Sequence, residues 1–207
     1  MEEIAIPIVG NLADKGLPTQ EDYNYWKLRE NRTFFIDYEI DDCYDLVELS
    51  KAIIQINMED RNKPVEELKP IYLYLFSYGG DIAQANYFCD LIQSSRTPVV
   101  TIGTGVAMSA GCLILLSGHR RYAFKHCQVL IHSGSTNGFA GTAEQVEEAQ
   151  KAYKKLLENM KSYILERTDI DLKTFNKNKS KDWYLTSEEL IKYHIVDKII
   201  TSFDEIL

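Results

Sequence analysis

The stretch from residue 71 to residue 141 is almost free of charge, with four basic and two acidic side chains in 71 positions. Residues 1–70 have 8 basic and 16 acidic side chains, and residues 142–207 have 11 and 13. Because a charged group is costly to bury, we expect residues 71–141 to form the core of the fold. The two flanking regions are predicted to be more exposed to solvent.

The composition is that of an ordinary globular protein, with 45% hydrophobic and 26% charged residues. A chain of 207 residues is about one domain long. It buries roughly 70% of its unfolded surface, so it needs neither disulfides nor metals to fold. The net charge of −8 argues against a general nucleic-acid binder, which would present a basic surface.

The cysteines show neither a CxxC pair nor a regular spacing. This pattern predicts small buried side chains in a reducing compartment. No zinc site is expected, because no His or Cys cluster has the spacing of metal ligands. The four are Cys43, Cys89, Cys112 and Cys127.

The 20 residues Val99–Gly118 have no charged side chain and are long enough to cross a membrane. They also include four glycines, two threonines and two serines, and we interpret them as a buried strand, a tight turn and a buried helix. The first residues, Met1–Ile4, are acidic where a signal peptide would be basic. We therefore expect a cytoplasmic protein that does not bind a membrane.

Strands and helices are predicted to alternate through the charge-poor core. Short apolar runs indicate strands, and apolar residues at helical spacing indicate helices. Such an alternation is typical of an α/β fold with parallel strands. In chain order the predicted elements are strand Ile71–Phe76, helix Asp81–Ser95, strand Pro98–Ile102, helix Ser109–Leu116, and strands Arg121–Phe124 and Gln128–His132.

A long helix is predicted after the glycine- and serine-rich residues 133–141. It starts at Thr142, where Thr-Ala-Glu-Gln supplies a capping box, and it continues to about Thr168. At roughly 27 residues it is long for a globular helix, so we expect it to project from the core and pack on something else. Its apolar stripe consists of Val146, Ala149, Tyr153, Leu156, Met160 and Ile164.

Two glycine-marked turns, Ser77–Asp81 and Thr104–Gly111, each lead from a buried strand to a predicted helix. A helix N-terminus offers unpaired N–H groups, and two such ends side by side can form an oxyanion hole. Ser109 lies in the second turn and is a candidate nucleophile, although a serine at a helix start is usually only an N-cap. The GxSxG elbow is missing, because position 107 is alanine.

A serine nucleophile needs a base, and the base needs an orienting acid. Of the four histidines, only His132 closes a buried strand and precedes a glycine-rich loop. The acid stays open among four aspartates, of which Asp182 precedes the apolar residues 183–185. The other three are Asp169, Asp171 and Asp197.

Six segments, which together extend from Asn31 to Ile200, carry a resemblance to a known family. They are Asn31–Ile36, Ile71–Ile82, Ala107–Gly111, Gln128–His132, Lys181–Glu189 and Tyr193–Ile200. In their residues and order they resemble the proteolytic subunit of the Clp protease, an ATP-dependent serine protease. The third, fourth and fifth segments resemble the family's nucleophile, histidine and acid segments.

The resemblance implies that Ser109 is the nucleophile, His132 the base and Asp182 the orienting acid. The order Ser, His, Asp is that of the family. The intervals of 132 − 109 = 23 and 182 − 132 = 50 residues are similar to the family's. In α/β-hydrolases the order is Ser, Asp, His.

The oxyanion donors implied by the resemblance are the backbone N–H groups of Ala110 and of Gly80, or of Gly79 beside it. The sequence departs from the family pattern near these residues. Tyr78 replaces a proline, Ala110 a methionine, and Ser133–Gly134 a Gln-Pro pair. These departures affect neither the three side chains nor the backbone donors, and they bear on substrate preference.

The resemblance also implies the architecture and the partners. The fold would be a spiral of βαβ units, as in crotonase-like enzymes, with residues 133–168 as a projecting handle within a single domain, 21–207. Residues 1–20 match the place of an axial docking segment. Two seven-membered rings would enclose the sites, and a separate AAA+ unfoldase would deliver unfolded polypeptide. ATP would be used by that partner, since this chain lacks the GxxxxGK[ST] phosphate loop, and no cofactor is expected.

Three other functions compete with this interpretation. The first is an inactive Clp-like ring subunit that supports an active paralogue, which the intact set of Ser, His and Asp disfavours. The second is a crotonase-fold acyl-CoA enzyme, although such enzymes generally use carboxylates. A Ser–Lys membrane protease is the least consistent with the sequence, because no lysine lies between residues 70 and 124.

Overall fold

The structure is a computed structural model that describes residues 19–41 and 43–206, without the side chain of Cys43. The helices are α1 Gln20–Glu30, α2 Cys43–Asp60, α3 Ile82–Ser94, α4 Ala110–Ser117, α5 Ala143–Arg167, α6 Leu172–Asn178 and α7 Ser187–Lys192. The strands are β1 Thr33–Ile36, β2 Ile71–Ser77, β3 Val99–Met108, β4 Arg120–Phe124, β5 Gln128–Ile131, β6 Trp183–Leu185 and β7 Lys198–Ile200. Short 3₁₀ turns cover Val65–Glu67 and Phe203–Glu205.

The seven strands form one sheet, whose main path runs β1-β2-β3-β4-β7. All pairs along this path are parallel, which confirms the predicted α/β fold. The ten-residue strand β3 pairs with β4 over Val100–Gly103 and with β5 over Val106–Met108. Strand β6 then joins β5 as an antiparallel neighbour, so a small side sheet diverges from the main one where β3 ends.

The predicted core is confirmed. All eight residues of α4 are buried, as expected of a helix that is apolar on every side. Of the six charged residues in 71–141, only Arg121 is buried. The three cysteines whose side chains are described, Cys89, Cys112 and Cys127, are buried and free, as predicted.

Strand β3 is longer than predicted, because residues 103–108 continue it where the sequence indicated a turn. The prediction was wrong about the glycines. A Cβ at Gly103 would lie 2.7 Å from the sulfur of Cys127, so this glycine permits close packing within a strand. The strand consequently ends at Met108, immediately before Ser109.

The last strand is shorter than the strand Ile195–Ile200 that the residue pattern predicts. Ile195 and Val196 are buried, but they belong to the turn after α7, in which His194 has a φ of 51°. The Asp197 N–H donates to the Arg121 carbonyl at 2.7 Å, and β7 begins only at Lys198.

The residue pattern also predicts a helix at Asp45–Asn57 and a short helix that starts with a capping box at Thr186, and these are α2 and α7. Helices α1 and α6 and strands β1 and β6 had no counterpart in the prediction from residue patterns.

The long helix is confirmed. Thr142 is its N-cap and forms a capping box with Gln145, and Thr168 is its C-cap. Its buried residues are Met160 and Ile164, both in the half that packs on the core. The half nearer to Thr142 has none.

Most of the segment expected to dock a partner, residues 1–20, lies outside the described residues. Thr19 and Gln20 are described, and they begin helix α1. The uncharged stretch Val99–Gly118 is divided between β3 and α4. Within the described ranges, none of the helices has both the length and the apolar character that crossing a membrane requires.

Candidate active site

Ser109 stands between β3 and α4 in a strained backbone conformation, with a φ of 52° and a ψ of −118°. Such conformations cost about 1–3 kcal/mol and concentrate at functional sites. The Ser109 N–H donates to the Leu130 carbonyl at 2.9 Å, which fixes the turn against β5. This elbow forms without GxSxG. The residue pattern predicted a turn that contains Ser109, but not its strained backbone.

The Ser109 side chain makes no capping hydrogen bond to α4. Its Oγ lies 2.6 Å from Nε2 of His132. Ser109 is therefore not an ordinary N-cap, because its side chain does not bond to the helix. The hydroxyl is paired with an imidazole, which is the arrangement that activates a serine.

His132 is brought to Ser109 by strand pairing. Strands β3 and β5 are parallel, with Met108 opposite Leu130, so both chains leave the sheet at the same edge. His132 follows directly after the last residue of β5 and is half-buried. The expected pairing of these two side chains is present.

Asp182 is near His132 in the strand register, but the two side chains are not hydrogen-bonded. The last antiparallel pair of β5 and β6 is Ile131 with Trp183. One further step along this register places Asp182 opposite His132, and residues that face each other in this way point to the same side of a sheet. Asp182 is exposed, and in the described chain His132 has a hydrogen bond through Nε2 only.

The other three candidate acids have different positions. Asp171 caps α6 by accepting from the Thr174 N–H at 2.8 Å. Asp197 accepts from the Arg121 N–H at 2.8 Å and contacts His194 at 2.9 Å. The Asp169 side chain is exposed, and the backbone N–H of this residue donates a hydrogen bond to a main-chain carbonyl. The register singles out Asp182 among the four.

Two backbone N–H groups remain available beside Ser109. Ala110 is the first residue of α4, and an N–H at this position has no partner within its helix. For Gly80, no acceptor of the N–H is recorded in the parts of the chain that are described. The Gly79 N–H, by contrast, donates to Ser77 Oγ at 3.2 Å, so Gly80 fits the role of donor better than Gly79.

The double glycine is required by close contacts. Gly79 has a φ of 106°, and a Cβ there would lie 2.8 Å from the Ser109 Cβ. Gly80 has a φ of 141°, and a Cβ there would lie 2.6 Å from the Ile40 carbonyl carbon. Tyr78, which replaces the proline of the family pattern, is exposed and contacts Phe76 edge to face.

A small apolar cavity of about 10 Å³ opens beside Ser109 and His132. Helix α5 contributes part of its wall, so this helix borders the site. Burial raises the pKa of the Cys112 thiol in this wall to about 12, so the thiol stays protonated and does not compete as a nucleophile. The apolar lining consists of Cys112, Leu113, Leu130, Ile131, Met160 and Ile164.

The arrangement is suited to acyl transfer. A serine paired with an imidazole can attack a carbonyl carbon, and two backbone donors can stabilise the resulting oxyanion. Among the residues with a described position, no group of three or more His, Cys, Asp or Glu side chains could hold a metal ion.

Comparisons with known proteins agree with this geometry. The family model described as Clp protease matches residues 19–203. The chain is 33% identical over 156 residues to ATP-dependent Clp protease proteolytic subunit 2 of Treponema denticola, covering 70% of this chain and 78% of the relative. It is 26% identical over 179 residues to the Clp protease proteolytic subunit of Deinococcus radiodurans, covering 85% and 83%.

The fold is also similar to a solved structure, a ClpP1 mutant from Listeria monocytogenes, with a TM-score of 0.75. The similarity covers 89% of this chain and 99% of that chain at 24% identity, and it concerns the fold alone. The family model covers most of the chain, and the Treponema relative exceeds 30% identity over more than two thirds of it. This chain therefore belongs to the Clp protease family.

Proposed function

We propose that this chain is the proteolytic subunit of a Clp protease and that it cleaves peptide bonds as a serine endopeptidase. The observation that carries the proposal is the 2.6 Å contact between Ser109 Oγ and His132 Nε2 at a strained turn beside two available N–H groups. Chain order and register support the same assignment for Asp182. Membership of the Clp protease family supports the proteolytic function, and the geometry of the site supports a serine mechanism.

In this mechanism His132 accepts the Ser109 proton as Oγ attacks the scissile carbonyl carbon. The N–H groups of Gly80 and Ala110 stabilise the oxyanion of the tetrahedral intermediate. His132 then donates the proton to the leaving amine, and an acyl-enzyme remains on Ser109. A water molecule, deprotonated by His132, hydrolyses this ester. Asp182 would hold the imidazole by accepting a hydrogen bond from Nδ1.

The cavity beside Ser109 suggests a preference in the substrate. Its walls are apolar side chains and a protonated thiol. The cavity has room for about one water molecule and not for a side chain. An apolar substrate side chain next to the scissile bond would nevertheless contact these apolar walls, whereas a charged one would lose hydration without compensation. We expect cleavage to be faster after apolar residues than after charged ones.

Assembly into rings is part of the proposal. Helix α1 has 11 residues, none of them buried, and an isolated helix of this length is marginal in water. Its large side chains are exposed, among them Tyr23, Tyr25 and Trp26. We propose that neighbouring copies cover this helix in two stacked seven-membered rings, and that a Clp-type unfoldase binds the rings in the cytoplasm.

The proposed function predicts a dependence on substrate size. The purified protein should hydrolyse short fluorogenic peptides without ATP, because the catalytic groups are all in this chain. A stably folded protein should be degraded only when a Clp-type unfoldase and ATP are added, since the chain has no nucleotide-binding motif. The measurement is peptide fluorescence beside gel analysis of the folded substrate. Efficient digestion of the folded substrate by this chain alone would contradict the proposal.

A second prediction concerns the projecting helix. Val146 is half-buried in the part of α5 that has no buried residue, and we propose that ring stacking covers it. Val146→Glu should therefore give smaller particles in sizing chromatography and should lower peptidase activity in parallel. The control is Glu147→Gln at the exposed neighbouring position, which should change neither property. Single rings with full activity would show that stacking and catalysis are independent.

A further inference from the structure

Tyr153 on helix α5 has a hydroxyl group that is buried and has no hydrogen-bond partner. Buried polar side-chain atoms are almost always paired, so each exception needs an explanation. The ring of Tyr153 packs against Phe139, with centroids 5.9 Å apart. The ring is therefore packed against another side chain, whereas the hydroxyl lacks a hydrogen-bond partner.

The hydroxyl lies against the segment that follows His132. A Cβ at Gly134 would be 3.1 Å from the Tyr153 oxygen and 3.0 Å from Leu157. Gly134 has a φ of 77°, which lets the main chain turn close to α5. Tyr153 thus contacts the backbone two residues beyond the proposed base.

The same segment has backbone groups without partners. In this described part of the chain, no hydrogen bond is recorded for the main chain of residues 133–135. A buried phenol hydroxyl without a partner therefore lies beside a main-chain segment whose carbonyl groups accept no hydrogen bond from the described residues.

In the same region, the imidazole of His132 has one of the two hydrogen bonds that the mechanism requires. It is bonded to Ser109, but not to Asp182, although the register places Asp182 opposite it. The position of His132 depends on the strand before it and on residues 133–135 after it. Strand β5 is fixed by pairing on both sides, so the segment after His132 is the side that can adjust.

We propose that Tyr153 is a positioning residue for His132. In the active arrangement its hydroxyl donates a hydrogen bond to a main-chain carbonyl of residues 133–135, and this bond holds the imidazole where Nδ1 reaches Asp182. The inference rests on the proposed function, because it assigns a role towards the same base. Tyr153 does not touch the reacting atoms.

The test compares Tyr153→Phe with Tyr38→Phe. Tyr38 also has a buried hydroxyl without a partner, so the two changes remove the same group. The Tyr153 variant should lower kcat for a short peptide by about 10- to 100-fold, as expected for a displaced catalytic group, with little change in KM. The Tyr38 variant should keep its kcat. Both variants should assemble as the unchanged protein does, and the Tyr38 variant should melt at the same temperature or slightly higher, because an unsatisfied group is removed.

A double variant separates positioning from a general structural effect. If Tyr153 acts through the His132–Asp182 contact, Tyr153→Phe combined with Asp182→Asn should be no slower than Asp182→Asn alone. Multiplying losses, or a Tyr153→Phe variant with unchanged kcat, would overturn the inference. If Asp182→Asn and Ser109→Ala both keep full activity, the proposed function itself is wrong, and that outcome is distinct from failure of Tyr153→Phe alone.

Discussion

Ser109→Ala is expected to lower the rate of peptide hydrolysis by roughly 10⁴- to 10⁶-fold, the loss that follows removal of a catalytic serine. The fold should survive, because the Ser109 hydroxyl makes no capping bond and the N–H contact to Leu130 is a backbone contact. Hydrolysis of a fluorogenic peptide measures the effect, and sizing chromatography verifies assembly. Ser94→Ala, at an exposed serine on α3, is the control and should keep full activity.

Covalent labelling gives an independent measure of the same residue. A fluorophosphonate probe should modify Ser109 in the unchanged protein and should fail to modify Ser109→Ala. An inactive ring subunit would remain unlabelled, and a crotonase-like enzyme would turn over an acyl-CoA with Ser109 dispensable. Near-normal peptide hydrolysis by Ser109→Ala would show that the mechanism is wrong.

Asp60→Asn is expected to lower the free energy of unfolding by about 3–5 kcal/mol, because it leaves a largely buried cation without its partner. The Asp60 side chain is 1% exposed, and that of Arg32, its bidentate partner, is 14% exposed. Lys63 and Thr97 also donate to this carboxylate, at 2.8 and 2.9 Å. Denaturant unfolding at fixed protein concentration measures the loss. Glu66→Gln, at an exposed site, should change stability by less than about 0.5 kcal/mol.

The contribution of Asp60 should depend on pH. Hydrogen bonds from Arg32, and then from Lys63 and Thr97, hold the pKa of the Asp60 carboxyl well below its ordinary value, against the opposing effect of burial. The stabilisation is complete above the unfolded pKa of about 3.9 and is lost as the pH falls through the folded pKa. The stability difference from Asp60→Asn should therefore shrink below about pH 4. A difference that stays constant from pH 7 to pH 2.5 would contradict this origin.

The sequence was sufficient to predict those features that depend on residues close together in the chain. Thr142 and Gln145 form a capping box within four residues, and the start of α5 was predicted correctly. The lack of charge across 71–141 identified the core, because burial acts on each charged side chain separately. The contact between Ser109 and His132 followed from a resemblance in which both residues stand at strand ends.

The prediction failed where structure depends on distant contacts. The glycines at 103 and 105 looked like turn residues, and only the sulfur of Cys127 shows that Gly103 is a packing position. The strained φ of Ser109 depends on the Leu130 carbonyl, 21 residues further along the chain. The place of Asp182 requires a strand pair between β5 and β6, whose residues are about 50 positions apart. No local pattern contains such information.

The division of β3 between two neighbours has a mechanical consequence. Residues 100–103 pair with β4 of the main sheet, and residues 106–108 pair with β5 of the small sheet, while Ala107 also pairs with Ser77 at the end of β2. Ser109, His132 and Asp182 all follow or precede strands of the small sheet, whereas Gly80 follows β2 of the main sheet. A tilt of one sheet against the other would carry serine, imidazole and carboxylate as one body. Such a tilt would change their distance to the Gly80 N–H. The pairing of Ala107 with Ser77 resists it, and this pair therefore helps to keep the oxyanion donors at a fixed distance from Ser109.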